Sequence, residues 1–172
     1  MFTLSGFADE ISPDLDVQLD VLQELDIRYL ELRGVWGKNV LALDDAEVQI
    51  IKAKLDERGM GVSAIGSPIG KIRIDEPLAP HVEAFRRALD LAEFFGSRYI
   101  RIFSFFVPDG QADAFRAPVM ERLGALLAEA QGRPVVLLHE NERHIYGDIP
   151  RRCQDIHRTL ESPQLRATFD PA

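Results

Sequence analysis

Short apolar runs alternate with longer amphipathic segments along the whole chain. The short runs are rich in aliphatic and aromatic residues, which favours β-strands. We predict six strands, at residues 2–7, 28–32, 61–66, 99–103, 134–139 and 166–169. The run VVLLHENE is the clearest of them, because four aliphatic residues in succession are typical of a strand that is buried on both faces.

The longer segments carry apolar residues three or four positions apart and predict five helices. We expect the first helix to be capped by Ser12, and the second to begin near Asp44 and end at Gly59. The others are predicted at about 80–95, from 118 to 132, and from Pro150 onward. Every predicted helix is followed by a strand, so we predict an α/β fold with parallel strands.

Two parallel architectures fit this alternation, the open doubly wound sheet and the closed TIM-type barrel. The open sheet usually carries a glycine-rich phosphate turn after its first strand, but here that position reads GFADEISPD. The barrel is therefore favoured. Eight βα units need roughly 250 residues, so we expect the 172 residues to be a single domain, residues 1–172, that forms the N-terminal two-thirds of such a barrel.

Composition narrows the classes of partner. Twenty basic and 28 acidic side chains give a formal charge of -8 and a pI near 5.0, which argues against nucleic acid. No apolar stretch reaches the roughly 18 to 20 residues of a membrane-spanning helix. The single cysteine, Cys153, and an N-terminus that does not resemble a signal peptide predict a cytoplasmic protein.

Carboxylates follow two neighbouring predicted strands where these strands end. Alternation puts Val136, Leu138 and Glu140 on one face of the fifth strand, and Thr168 and Asp170 on one face of the sixth. Because the carboxyl ends of parallel strands meet at one edge, the two acids should converge there. Converging carboxylates repel unless a cation neutralises them, which predicts a site for Mg²⁺ or Mn²⁺. With an additional imidazole ligand, the site would also suit Zn²⁺ or Co²⁺.

Other polar side chains near the strand ends are candidates for substrate binding, each with a plainer alternative. Glu31 and Arg33 could bind substrate oxygens or form an ion pair at the barrel rim. Ser67 and Lys71 could contact substrate or shape a turn. The remaining candidates are Arg101 at the fourth strand and His144 in a polar loop, where a solvated histidine is the more common case. His139 should face away from Glu140 and pack against a helix, and Glu142 lies further out.

The segments LLHENE, IYGDIP and TFDPA, together with GFADEIS, ELRGVWGKNV and SPIGK, resemble the sugar phosphate isomerase/epimerase family of xylose-isomerase-like barrels. The resemblance covers essentially the whole chain. It implies a divalent metal held by a glutamate that ends strand five, an aspartate that ends strand six, a histidine from strand seven and a glutamate from strand eight. The first two match Glu140 and Asp170, and the other two have no counterpart in the sequence.

In family members that are epimerases, metal-bound glutamates move a proton beside a carbonyl through an enediolate, so the resemblance implies that Glu140 is one acid/base group. We therefore expect a metal-dependent isomerase or epimerase, or a related dehydratase, for a sugar or sugar phosphate, with the 172-residue chain inactive by itself. The alternative is a non-catalytic fragment that binds or forms homo-oligomers through open barrel edges. A metal-dependent endonuclease of the same superfamily is a weaker alternative, because the net charge of the chain is negative and its histidines are few.

Overall fold

The computed structural model describes residues 2–171. In chain order its strands are β1 (Ser5–Gly6), β2 (Tyr29–Leu32), β3 (Gly34–Val35), β4 (Lys38–Asn39), β5 (Gly61–Ile65), β6 (Tyr99–Ile102), β7 (Val136–Glu140) and β8 (Leu165–Thr168). Six of them form a central, all-parallel sheet with the strand order β1-β2-β5-β6-β7-β8, in which β1 and β8 are the two edges. The other two, β3 and β4, pair as an antiparallel hairpin.

Five α-helices connect the parallel strands, as the alternating pattern predicted. They are α1 (Leu15–Glu24), α2 (Asp45–Glu57), α3 (Ala79–Phe95), α4 (Arg116–Ala130) and α5 (Pro150–Leu160), and short 3₁₀ helices lie at Ala8–Glu10 and Val40–Ala42. The apolar face of each helix is buried against the sheet or a neighbouring helix, and together these faces form one continuous core. The predicted α/β class and the six-strand order are confirmed. The carboxyl ends of all six strands consequently face the same way.

The start of α1 differs from the prediction. Asp14, and not Ser12, is the N-cap, because its carboxylate accepts a hydrogen bond from the Val17 backbone N–H. Ser12 instead accepts from the Asp14 N–H through its hydroxyl, so it shapes the turn that leads into the helix. At the second helix the prediction holds, since Asp44 and Glu47 form a complete capping box.

The β3–β4 hairpin was not predicted from sequence. Its two turn residues, Trp36 and Gly37, both have positive φ angles of 55° and 73°, which a tight hairpin turn requires. The Trp36 backbone N–H donates to the Pro13 carbonyl, and its ring packs against the core. This hairpin therefore fixes the segment after β2 against the start of α1.

Within residues 2–171, none of the helices combines the length and the apolar character needed to cross a membrane.

Candidate functional site

Glu140 and Asp170 lie at the same edge of the sheet. Glu140 is the last residue of β7 and pairs in register with Thr168 of β8. Asp170 follows Thr168 by two residues, so strand alternation turns its side chain toward the Glu140 face. The negative charge of Asp170 is close enough to raise the pKa of the Glu140 carboxyl. The two acids singled out in the sequence are thus neighbours, while their role as ligands remains a prediction.

The side chain of Asn141 fixes the backbone at Asp170. Its amide Nδ2 donates to the Asp170 carbonyl oxygen at 2.9 Å, and its Oδ1 accepts from the Asp170 N–H at 3.0 Å. This pair of hydrogen bonds extends the β7–β8 pairing beyond the last ladder residues. Asp170 is therefore held in a defined position although the strand has already ended.

A buried arginine lies beside carboxylates from two other strands. Arg101 of β6 is 7% exposed, and its Nη1 lies 3.5 Å from Glu140 Oε2 and 3.8 Å from Glu31 Oε1. Its Nη2 donates to the carbonyl oxygen of Gly66 at 3.4 Å. The Nε atom is also buried and has no hydrogen-bond partner among the described residues. Glu31 and Arg101, which were predicted to bind substrate, consequently lie near Glu140 at the carboxyl ends of the parallel strands.

Burial governs the proton affinity of both glutamates. It raises the pKa of Glu140 above the ordinary value of 4.5, and the positive charge of Arg101 opposes this rise. The pKa of Glu31 is raised for the same reason and is again opposed by Arg101, while the charge of Glu140 adds to the rise. Carboxyls of this kind can hold and release a proton nearer to neutral pH than exposed ones.

Two phenylalanine rings form the walls around these charges. The Arg101 guanidinium carbon lies 5.0 Å from the centre of the Phe7 ring and 5.2 Å from that of Phe103. Arg33 stacks on Phe7 at 4.6 Å, and the Lys71 ammonium lies 4.2 Å from the centre of the Phe103 ring. Cation–π contacts of this length are attractive and restrict where the side chains can move.

The predicted candidates Arg33 and Lys71 each bind a carboxylate of their own. Arg33 Nε donates to Asp9 at 2.8 Å and its Nη2 donates to Glu10 at 2.9 Å, so its ion pairs are with these two acids. Lys71 Nζ donates to Glu142 Oε2 at 2.9 Å. This hydrogen bond lowers the pKa of Glu142 and joins the loops that follow β5 and β7. Substrate contact by either cation stays a prediction.

Ser67 lies in the loop after β5, which is held against β6. Its buried hydroxyl donates to the Arg101 carbonyl oxygen and accepts from the Ile69 N–H. The sequence also predicted contact of Ser67 with substrate; the structure places its hydroxyl in this turn and does not test that role. In the same loop Gly70 has a φ of 92°, and a Cβ at this position would lie 2.0 Å from the Phe103 carbonyl oxygen. Only glycine fits so close to the neighbouring strand.

His81 of α3 supports this loop. The Gly70 N–H donates to Nε2 of His81 at 2.7 Å, and the His81 ring packs edge-on against Phe105. The half-buried position lowers the pKa of His81, which suits the neutral ring that accepts this bond. A lone helical histidine carries no sequence signal for such a contact.

The two histidines near β7 lie away from Glu140. His139 is buried on the opposite face of the strand, where its ring packs against His157 of α5, as alternation predicted. Burial lowers the pKa of His139 to about 3, so the ring is neutral. His144 lies on the following loop with an exposed side chain, 3.4 Å from Asp109. Its predicted contact with substrate is not tested by this position.

Two of the described carboxylates have the donor chemistry of a divalent-metal site. Glu140 and Asp170 offer the hard oxygen donors that Mg²⁺ and Mn²⁺ prefer. Burial and, to a lesser extent, the charge of Asp170 raise the pKa of Glu140, and a cation would oppose both effects. Within residues 2–171, however, no cluster of three or more His, Cys, Asp and Glu side chains is arranged to hold a metal. A complete centre would need further ligands from outside this set.

Several dozen solved structures resemble the chain, and they include the following three. One is a xylose isomerase-like TIM barrel protein from Mycobacterium smegmatis, solved in complex with magnesium. Its TM-score is 0.70 at 18% sequence identity, and the match covers 91% of this chain and 56% of the relative's chain. The IolI protein, solved with a bound zinc atom, has a TM-score of 0.75 and 12% identity, with coverages of 95% and 60%. A D-tagatose 3-epimerase-like protein has a TM-score of 0.73 and 16% identity, with coverages of 98% and 64%.

At these identities the similarities show the fold, and the chain spans less than two-thirds of the length of each structure. No functionally curated protein gave a significant match. The sequence model of the family described as "Xylose isomerase-like TIM barrel" matches residues 19–172. That match covers most of the chain and confirms the resemblance carried by its motifs. The chain belongs to the xylose isomerase-like TIM barrel family.

Proposed function

We propose that this chain carries half of the metal centre of a divalent-metal-dependent isomerase or epimerase that acts on a sugar or sugar phosphate. The observation that supports this most is the side-by-side position of Glu140 and Asp170 at the carboxyl ends of β7 and β8. Relatives solved with magnesium and with zinc support a divalent cation, and Mn²⁺ and Co²⁺ suit the same donors. The D-tagatose 3-epimerase-like relative supports sugar epimerisation.

In this proposal Glu140 is both a ligand and the acid/base group. The metal, when bound, would polarise the substrate carbonyl and stabilise negative charge on its oxygen. The Glu140 carboxylate would accept the proton from the carbon next to that carbonyl, which leaves an enediolate, and a proton returned from the other face would invert the centre. Burial alone raises the pKa of Glu140 and favours proton uptake, whereas a bound cation would act in the opposite direction.

The neighbouring side chains would bind and orient the substrate. Arg101 lies between Glu140 and Glu31, at 3.5 and 3.8 Å, and the guanidinium and the Glu31 carboxylate match sugar hydroxyls as donor and acceptor. Phe7 and Phe103 would exclude water from one side of the reacting carbon. Lys71 at the mouth would contact the more distant substrate oxygens. The proposed substrate-binding residues also include three that lie further from Glu140, namely Arg33, Ser67 and His144.

Proton exchange in D₂O tests this function even when the product has not been identified. The complete gene product, loaded with Mn²⁺, is expected to incorporate deuterium next to the carbonyl of a ketose or a ketose phosphate, as measured by NMR. We expect the 172-residue chain alone to show no exchange, since it supplies two of the four ligands that the family uses. Loss of exchange by at least a thousandfold is expected for Glu140→Gln. Exchange that survives this change would contradict the proposal.

A second, non-catalytic function is favoured by the two edges of the sheet. Phe169 beyond β8 is 83% exposed, and Phe2 and Leu4 beside β1 are 96% and 67% exposed. Exposed apolar side chains next to unpaired strand edges promote association with another chain. Size-exclusion chromatography of the 172-residue chain should show a dimer or larger species that Phe169→Lys shifts to monomer. Ile50→Lys on the outer face of α2 is the matched control, and a monomeric wild type would contradict this function.

A further inference from the structure

Arg101 places a permanent positive charge at the point where the proposed metal would act. Its guanidinium lies beside the rings of Phe7 and Phe103, so it is confined laterally. One end donates a long hydrogen bond, at 3.4 Å, to the Gly66 carbonyl oxygen, which favours one direction of the group. Arginine remains charged even when buried. The buried region at the carboxyl ends of the strands thus already contains one cation, the Arg101 guanidinium.

The contacts of this cation with the two glutamates are loose. Nη1 is 3.5 Å from Glu140 and 3.8 Å from Glu31, longer than the roughly 2.7 to 2.9 Å of a tight charge-assisted hydrogen bond. The guanidinium therefore neutralises both carboxylates without saturating either of them. Each glutamate keeps oxygen lone pairs free to accept from another donor or to bind a metal. An Nε–H with no partner among residues 2–171 shows that the hydrogen bonding of Arg101 is also incomplete.

We propose that Arg101 is an internal counter-ion that competes with the divalent metal for Glu140. It stabilises the buried glutamates when metal is absent, and its charge repels a metal that binds the same carboxylate. Metal binding is consequently weaker, and exchange is faster, than the carboxylate pair alone would give. This inference rests on the proposed function, because it assumes that Glu140 is a ligand.

Coulomb repulsion decides the sign of the effect. Arg101 and a metal on Glu140 would be like charges a few ångströms apart in a partly buried site, where solvent screening is weak. Removing the arginine charge also leaves Glu31 and Glu140 as an unneutralised pair that attracts a cation more strongly. Both consequences favour tighter metal binding. A purely supporting arginine would have the opposite effect, because its loss would disorder Glu140 and weaken binding.

Manganese titration of the complete gene product by calorimetry separates these two roles. Arg101→Gln is expected to bind Mn²⁺ at least tenfold more tightly than wild type, which corresponds to about 1.4 kcal/mol. Arg101→Lys, which keeps the charge, should stay within threefold of wild type. Arg133→Gln is the matched control, because it removes an equal charge from the segment before β7, at the opposite end of the strands, where the side chain is bound to Asp90 and Glu93. It should also change the affinity less than threefold.

Unchanged or weaker Mn²⁺ binding by Arg101→Gln would overturn the inference. If that variant does not fold, Arg101→Met keeps an unbranched stem between the two phenyl rings and serves as the second test. Failure of both variants to fold even with Mn²⁺ present would also contradict the account, since the metal should replace the lost charge. The proposed function fails separately if Glu140→Gln binds Mn²⁺ as well as wild type does.

Discussion

The side chain of Asn141 is hydrogen-bonded to both backbone polar groups of Asp170, at 2.9 and 3.0 Å. Asn141 follows directly on the proposed ligand Glu140, so one segment supplies one carboxylate and positions the other. Asn141→Ala should therefore release Asp170 and weaken Mn²⁺ binding about tenfold, while lowering the free energy of unfolding by about 1 to 2 kcal/mol for the two lost bonds. Calorimetric titration and urea denaturation measure the two effects.

Asn39→Ala is the control for this change. The Asn39 side chain accepts a hydrogen bond from the Leu41 N–H, which starts a 3₁₀ helix remote from Asp170. Its loss should lower stability by a similar amount of about 1 kcal/mol and leave Mn²⁺ affinity unchanged. Equal affinities of Asn141→Ala and wild type would show that Asp170 needs no such positioning, or is not a ligand.

The loop that carries Lys71 depends on glycine at position 70. Gly70→Ala should lower the free energy of unfolding by about 3 kcal/mol or more, because its new methyl group would overlap the Phe103 carbonyl oxygen in addition to the strained backbone. Gly110→Ala is the matched control, with a φ of 72° but no atom within 4 Å of the added Cβ. We expect it to cost about 1 kcal/mol. Similar costs in urea denaturation for the two variants would contradict the close approach.

The bond from Gly70 to His81 predicts a pH dependence. The pKa of His81 is lowered from 6.5, chiefly by burial, so the folded protein binds this proton less readily than the unfolded chain. The stabilisation by the neutral ring is therefore complete above pH 6.5 and is lost as the pH falls below that value. His81→Gln keeps an acceptor without the titration. Its unfolding free energy should fall less than that of wild type between pH 7.5 and 5.5, and equal losses would contradict the assignment.

Much of the fold follows from the sequence because each element carries a local signal. Periodicity located all five helices and six strands, and strand alternation put Glu140 and His139 on opposite faces. The N-cap of α1 was wrongly predicted, since Ser12 and Asp14 both carry suitable oxygens and only the path of the chain selects Asp14. The Trp36–Gly37 turn was missed because tryptophan is an unusual residue for a positive φ angle.

The interior of the candidate site was less predictable for a physical reason. Arg101 was picked out as a substrate candidate, but its stacking on Phe7 and Phe103 joins residues from different strand ends, and no local pattern reports such contacts. The same holds for His81, whose partner Gly70 lies in a loop that is shaped by contact with Phe103. The face of the sheet on which a side chain lies was predictable, because strand alternation determines it. The contact partners of that side chain were not predictable, because they depend on tertiary packing.

The most direct measurement for the central claim is a crystal structure of the complete gene product grown with MnCl₂, with anomalous scattering recorded to locate the metal. The account predicts a manganese peak that contacts carboxylate oxygens of both Glu140 and Asp170 at about 2 to 2.5 Å. Glu142, which binds Lys71, should stay out of the coordination sphere. A manganese ion that binds only one of the two carboxylates, or one held by Glu142 instead, would contradict the claim.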